Sequence, residues 1–341
     1  EKIRFDMRTN KCLLQGAVES MIKNRKEKRY ESIFDLVKRI DLRAANKKAF
    51  ENLVLAGGLD SLGEVHRAQY FNPDGDGITL LEKAIRFGAK YQENLNSSQT
   101  SLFSDATNET YQDLSIPSCE PWSNLVRLKK EKEVVGIYIS SHPLDDFTHE
   151  MKHFMNISLN RLGDLNPLVN RELSLGGIVN DVQHLESRNG KGWARFALED
   201  FTDQYEFRIF GEDYLKYRHF LVVNQFIRIR LMIREGWVNR ETGKAGAPRM
   251  QYLHFEMLQN TIESNAKKLT LQLDIHQLDQ DQIETLQDNL KSYKGDKSLF
   301  FNIYDTDKKV KLMLNSKKQK VNITPDLLQY LDEKAWHYKL N

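Results

Sequence analysis

The stretch Gly176–Phe210, "GGIVNDVQHLESRNGKGWARFALEDFTDQYEFRIF", decides how this chain is read. Its apolar residues recur every second position, the period of a half-buried strand. In "WARFALED", Ala194, Phe196 and Leu198 fall on one face and Trp193, Arg195 and Ala197 on the other. In "YEFRIF", Tyr205, Phe207 and Ile209 alternate with Glu206, Arg208 and Phe210. "RNGKG" between the first two runs is a hairpin signal. Upstream, "ELSLGGIVNDVQ" reads as a bent strand, with Gly176 and Gly177 allowing the curvature. Downstream come a short helix ("EDYLKYRHF"), a strand with Ile227, Ile229, Leu231 and Ile233 on one face and Arg228 and Arg230 on the other, and a last strand ("MQYLHFEML"). Three strands, a helix and two strands, with the first strand bent, is the order of an OB-fold β-barrel.

Outward from this core, the chain reads as a multidomain α+β protein. Residues 1–93 are expected to be helical. "NKKAFENLVLAGGLDSLG" predicts helix, Gly57-Gly58 hairpin and second helix, the shape of a helix-hairpin-helix unit that grips a DNA backbone through glycine amides. A plain αα-hairpin has the same sequence signs. Residues 94–121 read as a flexible linker, 122–165 as a helical connector, 166–262 as the OB-fold domain and 263–341 as a small α+β domain. That last unit shows no ligand constellation in its sequence. "NPDGDG" at 72–77 reads as a turn, because the later oxygen ligands of a calcium loop are missing.

Composition narrows the function. The 341 residues carry a net charge of +2, with 40% hydrophobic and 29% charged residues, and no apolar run near the roughly 18 that a membrane span requires. Two cysteines, Cys12 and Cys119, suit a reducing cytoplasm and cannot form a metal-ligand set alone. Glu rather than Met at position 1 is read as a fragment of a longer chain. Residues 1–48 hold fourteen Lys or Arg against seven Asp or Glu, and no Lys or Arg lies between Lys90 and Arg127. A basic head before an acidic tether is consistent with a nucleic-acid contact, as it is with a solvated helix surface.

No Ser-His-Asp arrangement, phosphate loop or Cys/His metal spacing is present, so catalysis has little support. Asp200 and Asp203 read as a turn that caps backbone amides; a nuclease carboxylate pair is the alternative. The outer face of strands two and three offers Trp193, Arg195, Arg208 and Phe210, with Lys191 in the adjoining hairpin and Arg228 and Arg230 beyond. Rings stack on bases and cations track phosphates, so single-strand binding is expected there unless a neighbouring domain covers the face. Lys47, Lys48, Gly57 and Gly58 are the expected duplex contacts.

"LRAANKKAFENLVLAGGLDSLG", "EKEVVGIYISSHPLDDF" and the barrel stretch together resemble the C-terminal portion of the bacterial replicative DNA polymerase III alpha subunit, most of all in Bacteroidetes-type sequences. The resemblance covers most of the chain and weakens after about Ala266. It implies DNA-templated synthesis for the full protein, with Mg2+ and dNTPs. The residues for that chemistry belong to an N-terminal palm outside these 341 residues, so no catalytic or metal residue and no cofactor is assigned here. Gln99-Thr100-Ser101-Leu102-Phe103 resembles the Gln-x-x-Leu-Phe pentapeptide by which such subunits hold the beta sliding clamp. Burying one Leu and one Phe in a partner pocket could yield roughly 3–6 kcal/mol before ordering costs. The C-terminal unit is similar to the part that joins the clamp-loader tau subunit. One departure stands out: Cys12 and Leu14 occupy the hairpin positions where the family has glycine, so weak duplex binding is expected of that first hairpin. A free-standing OB-fold single-strand adaptor without polymerase activity is the alternative reading of the whole chain.

Overall fold

The computed structural model describes residues 15–96, 116–237, 246–276, 278–305 and 307–341. The chain forms two compact units, Glu1–Pro143 and Leu144–Asn341.

The first unit is helical, with α1 (Gln15–Glu27), α2 (Ile33–Arg39), α3 (Lys47–Leu55), α4 (Leu80–Asn96) and α5 (Asn124–Val135). Side-chain caps start the helices where the sequence offers them: Ser32 accepts from the Asp35 amide and Asn46 from the Ala49 amide. Val37, Ile40, Phe50, Val54, Leu80 and Ala84 meet in one buried cluster. The α2–α4 crossing is close enough that a Cβ on Gly88 would lie 2.7 Å from the Val37 carbonyl oxygen, so only glycine fits there. Gly57 ends α3 with φ +80. Its amide donates to the Val54 carbonyl and the Gly58 amide to the Leu53 carbonyl, the paired bonds of a Schellman cap. The expected second α-helix does not follow. Residues 59–64 are turns and bends, with Leu59 and Leu62 buried, and the next helical element is a 3-10 turn at Arg67–Tyr70.

The second unit opens with α6 (Thr148–Phe154). An antiparallel sheet follows: β1 (Glu172–Glu186), β2 (Gly192–Glu199), β3 (Gln204–Phe210), α7 (Gly211–Tyr217), β4 (Phe226–Arg234) and β5 (Arg249–Met257). Strand order is β3-β2-β1-β4-β5. The long β1 serves two neighbours: Glu172–Ile178 pairs with β4, and Ile178–Glu186 pairs with β2, with an irregularity between Val179 and Asp181. A Cβ on Gly177 would come within 2.4 Å of the Glu199 carbonyl oxygen, which explains the glycine at the bend. Leu175, Val179, Phe196, Leu198, Phe207, Ile229 and Phe255 fill the core behind the sheet.

The sheet is not a closed barrel. Strands β3 and β5 are its edges and are not paired with each other. Between them lies a cavity of about 560 Å³ lined by Tyr205, Phe207, Arg208, Met250 and Tyr252. It is spanned by a side chain rather than a ladder: the Tyr252 hydroxyl donates to the Arg208 carbonyl at 2.9 Å.

After α8 (Thr261–Asn265), a second sheet gathers β6 (Lys268–Asp274), β7 (Lys294–Asp305), β8 (Val310–Asn315) and β9 (His337–Leu340) in the order β8-β7-β6-β9. Helix α9 (Gln280–Ser292) connects β6 to β7, which run parallel, and α10 (Pro325–Glu333) precedes β9. Thr324 caps α10 and Pro325 opens it. Leu269, Leu271, Leu286, Leu290 and Leu327 form this sheet's own core.

Candidate nucleic-acid interface

Residues directly opposite in an antiparallel pair share a face. Trp193 pairs with Phe210, Arg195 with Arg208 and Ala197 with Glu206, so two rings and two guanidiniums stand on the side of β2–β3 away from the core. The rings are stacked, with centroids 5.2 Å apart and planes 18° from parallel. Phe210 remains 56% exposed. Arg195 donates to Gln183 at 2.9 Å and lies 3.4 Å from Glu206, while Arg208 lies 3.2 Å from the same carboxylate. Lys191 is exposed in the β1–β2 hairpin.

The outer face is covered at the other end of β1. There Gly176 pairs with Arg228 and Ser174 with Arg230. A Cβ on Gly176 would lie 2.6 Å from the Met151 sulfur, so α6 sits directly over this patch. Arg228 is buried, donates to Ser174 Oγ at 2.9 Å and to Glu256 at 2.7 Å, and lies 5.9 Å from the Phe154 ring. The expectation that Arg228 is a surface cation is therefore corrected. Alternation puts it on the outer side, but α6 shields it and Glu256 neutralises it. Arg230 is half-buried and donates to Glu172 at 2.8 Å.

In the helical unit, Lys47 pairs with Glu82 at 2.7 Å and Lys48 with Glu51 at 3.3 Å. The Lys47 ammonium, helped by the Thr79 amide, holds the Glu82 carboxyl down to about 2. The amides of Gly57 and Gly58 are spent on the α3 cap, so the expectation that they face a phosphate is corrected. A Cβ on Gly57 would lie 2.2 Å from Arg67 Nη2, so this glycine makes room for a buried arginine. Gln99, Ser101, Leu102 and Phe103 lie outside the described residues, as do Cys12 and Leu14.

Asp200 is 5% exposed and wholly engaged as a cap. It accepts from the amides of Leu159, Thr202 and Asp203 and from the Thr202 hydroxyl, which removes the nuclease reading. Two residues escaped the sequence reading. Trp237, 76% exposed, lies after β4, and the Arg249 guanidinium on β5 lies 4.4 Å from its ring centroid. Arg249 also lines the cavity that Arg208 and Phe210 line from β3. A lone Trp in the polar run "REGWVNRETGK" was the available signal. The C-terminal sheet departs from expectation as well, because it brings His276, Asp305 and Asp307 together.

Comparison with known proteins adds two family models. One, described as "DNA polymerase III alpha subunit, C-terminal domain", matches residues 269–341, and a helix-hairpin-helix motif model matches residues 1–70. The DNA polymerase III subunit alpha of Borreliella burgdorferi is 28% identical over 92% of this chain and 26% of its own length. This chain is similar to the C-terminal region of DNA polymerase III alpha subunits. The subunit of Escherichia coli O157:H7 is 25% identical over 82% of this chain and 23% of its own length. The chain thus spans about a quarter of the alpha subunits it matches. A mitochondrial single-stranded DNA-binding protein from S. cerevisiae matches 26% of this chain and 94% of its own, at 10% identity and a TM-score of 0.19, too low to speak to the fold. Among the described residues, no helix is long and apolar enough to cross a membrane.

Proposed function

We propose that this chain is the grip-and-tether region of a replicative DNA polymerase III alpha subunit, serving processive synthesis without supplying the chemistry. In this reading the first sheet, an OB-type strand order left open between β3 and β5, holds single-stranded template. Lys47 and Lys48 approach duplex phosphates by exchanging Glu82 and Glu51 for them. Gln99–Phe103 engages the beta sliding clamp, and the C-terminal sheet meets the clamp-loader tau subunit. No polymerisation step is assigned to this chain.

The observation that supports the reading best is the Trp193–Phe210 stack, with Trp193 half-buried and Phe210 exposed, flanked by two guanidiniums. A folded protein rarely leaves such a ring pair in water without a use. Because the rings already stack on each other, a base adds to the outer face of Phe210 rather than sliding between them. Base–aromatic stacking is worth about 1–3 kcal/mol, so Phe210→Ala is expected to weaken oligo-dT binding roughly 5- to 150-fold. Fluorescence anisotropy across a salt series checks this. Phe210→Ala and Trp193→Ala should leave the salt slope unchanged, whereas Arg208→Ala should flatten it by about 0.7. Unaltered affinity in Phe210→Ala would remove the single-strand assignment.

A further inference from the structure

His276 follows β6, whereas Asp305 and Asp307 lie at the β7–β8 turn, 29 residues beyond it for Asp305. Parallel pairing sets Asp274 opposite Tyr304, and the Ile275 amide donates to the Tyr304 carbonyl at 3.1 Å. This register carries His276 to the end of β7. Its Nε2 lies 3.0 Å from Asp305 Oδ1 and 3.4 Å from Asp307 Oδ2. One ligand atom from each residue falls within 4.8 Å of the others. Ligands held about 2.0–2.2 Å from one ion stand about 3.0–3.4 Å apart at neighbouring positions and about 4.2 Å apart across it. The observed separations fit a single ion with little movement.

The donor set selects the ion. One imidazole and two carboxylates suit borderline first-row dications, above all Zn2+, better than the all-oxygen shells that Ca2+ and Mg2+ take. Asp305 is already oriented: its Oδ1 accepts from the amides of Asp307 and Lys308, each at 3.0 Å. The Asp305 side chain is 18% exposed, against 47% for His276 and 80% for Asp307, so an ion would enter from solvent and keep water on its open side. We propose that His276, Asp305 and Asp307 form a binding site for a divalent transition-metal ion, Zn2+ by its ligand chemistry, at the strand ends of the C-terminal sheet.

The test is calorimetric titration of the full 341-residue chain with Zn2+ at neutral pH, repeated on His276→Ala and Asp307→Asn. One equivalent of Zn2+ is expected, with affinity falling at least about tenfold in each variant. Both variants should keep the far-ultraviolet circular dichroism of the unaltered chain, because both side chains are exposed. His219→Ala, outside the cluster, should leave the equivalent in place. No Zn2+ bound by the unaltered chain would overturn the site, leaving His276 as an ordinary ion-pair partner. Equal binding in His276→Ala and Asp307→Asn would overturn it too, by assigning the zinc to other histidines.

Discussion

Glu206 is expected to restrain the β2–β3 face, and Glu206→Gln should release it. Its carboxylate lies 3.4 Å from Arg195 and 3.2 Å from Arg208, with side-chain exposures of 45%, 37% and 62% in that order. Exposed ion pairs of this kind are worth about 0–1 kcal/mol each, so a phosphate can displace Glu206 at small cost. Glutamine keeps the shape and removes the charge. Freeing two guanidiniums then strengthens oligo-dT binding by up to about 2 kcal/mol, or about 30-fold. The local charge of Arg195, Arg208 and Glu206 rises from +1 to +2, so one more phosphate is neutralised and the salt slope should steepen by about 0.7. Stability should move by no more than about 0.5 kcal/mol, because the site is exposed and leaves no buried partner unpaired. Anisotropy of labelled oligo-dT from low to physiological salt measures both quantities. Weaker binding with an unchanged slope would mean that Glu206 positions the arginines rather than competing for them, and the account of this face would be wrong.

Two further outcomes are expected. Leu102→Ala combined with Phe103→Ala should abolish pull-down of the beta sliding clamp while leaving oligo-dT binding intact; retained clamp binding would remove the tether assignment. Glu131→Ala should destabilise the helical unit by about 3–5 kcal/mol in urea unfolding, because Glu131 is wholly buried against Arg67 at 3.3 Å. Burial is the largest single influence on that carboxyl and opposes its charge. The Ser140 hydroxyl and amide, the Ile139 amide and Arg67 together outweigh it, so its pKa is lowered on folding. The stabilisation from Glu131 is therefore present above the ordinary carboxylate range and fades as pH falls through the depressed folded value, and Glu131→Ala should flatten that acid limb.

Elements whose pattern is local were legible in the sequence. Period-two alternation in "WARFALED" and "YEFRIF" placed Trp193, Arg195, Arg208 and Phe210 on one side, and the strand pairing does the same. A Thr-Pro pair at 324–325 is a signal written in adjacent residues, and α10 begins there. Features that depend on distant segments were not legible. Arg228 shares the outward phase of Trp193, and nothing within β4 reveals that Met151 and Met155 of the segment around α6 pack over Gly176. Gly57-Gly58 announced a helix end, but two uses of the same amides, capping α3 or holding a phosphate, have identical sequence signs. His276 and Asp305 became neighbours through a parallel register that no local motif encodes.

The open edge follows the same rule and matters more for function. Alternation fixes which side of a strand is apolar, whereas closure depends on how strand number, tilt and stagger combine around the whole sheet. Here the order stops at β3 and β5, and Tyr252 bridges the gap with one hydroxyl bond to Arg208. Burial first, and then the nearby Asp213 carboxylate, raises the Tyr252 pKa, so that hydroxyl keeps its proton and remains a donor. A ladder between β3 and β5 would consume the edge and leave little room for a ligand. The gap instead leaves a groove with Phe210 and Arg208 on one wall and Arg249, close to Trp237, on the other. A surface read from β2 and β3 alone ends at Phe210. The unclosed sheet extends it to a second aromatic–guanidinium pair, Trp237 with Arg249.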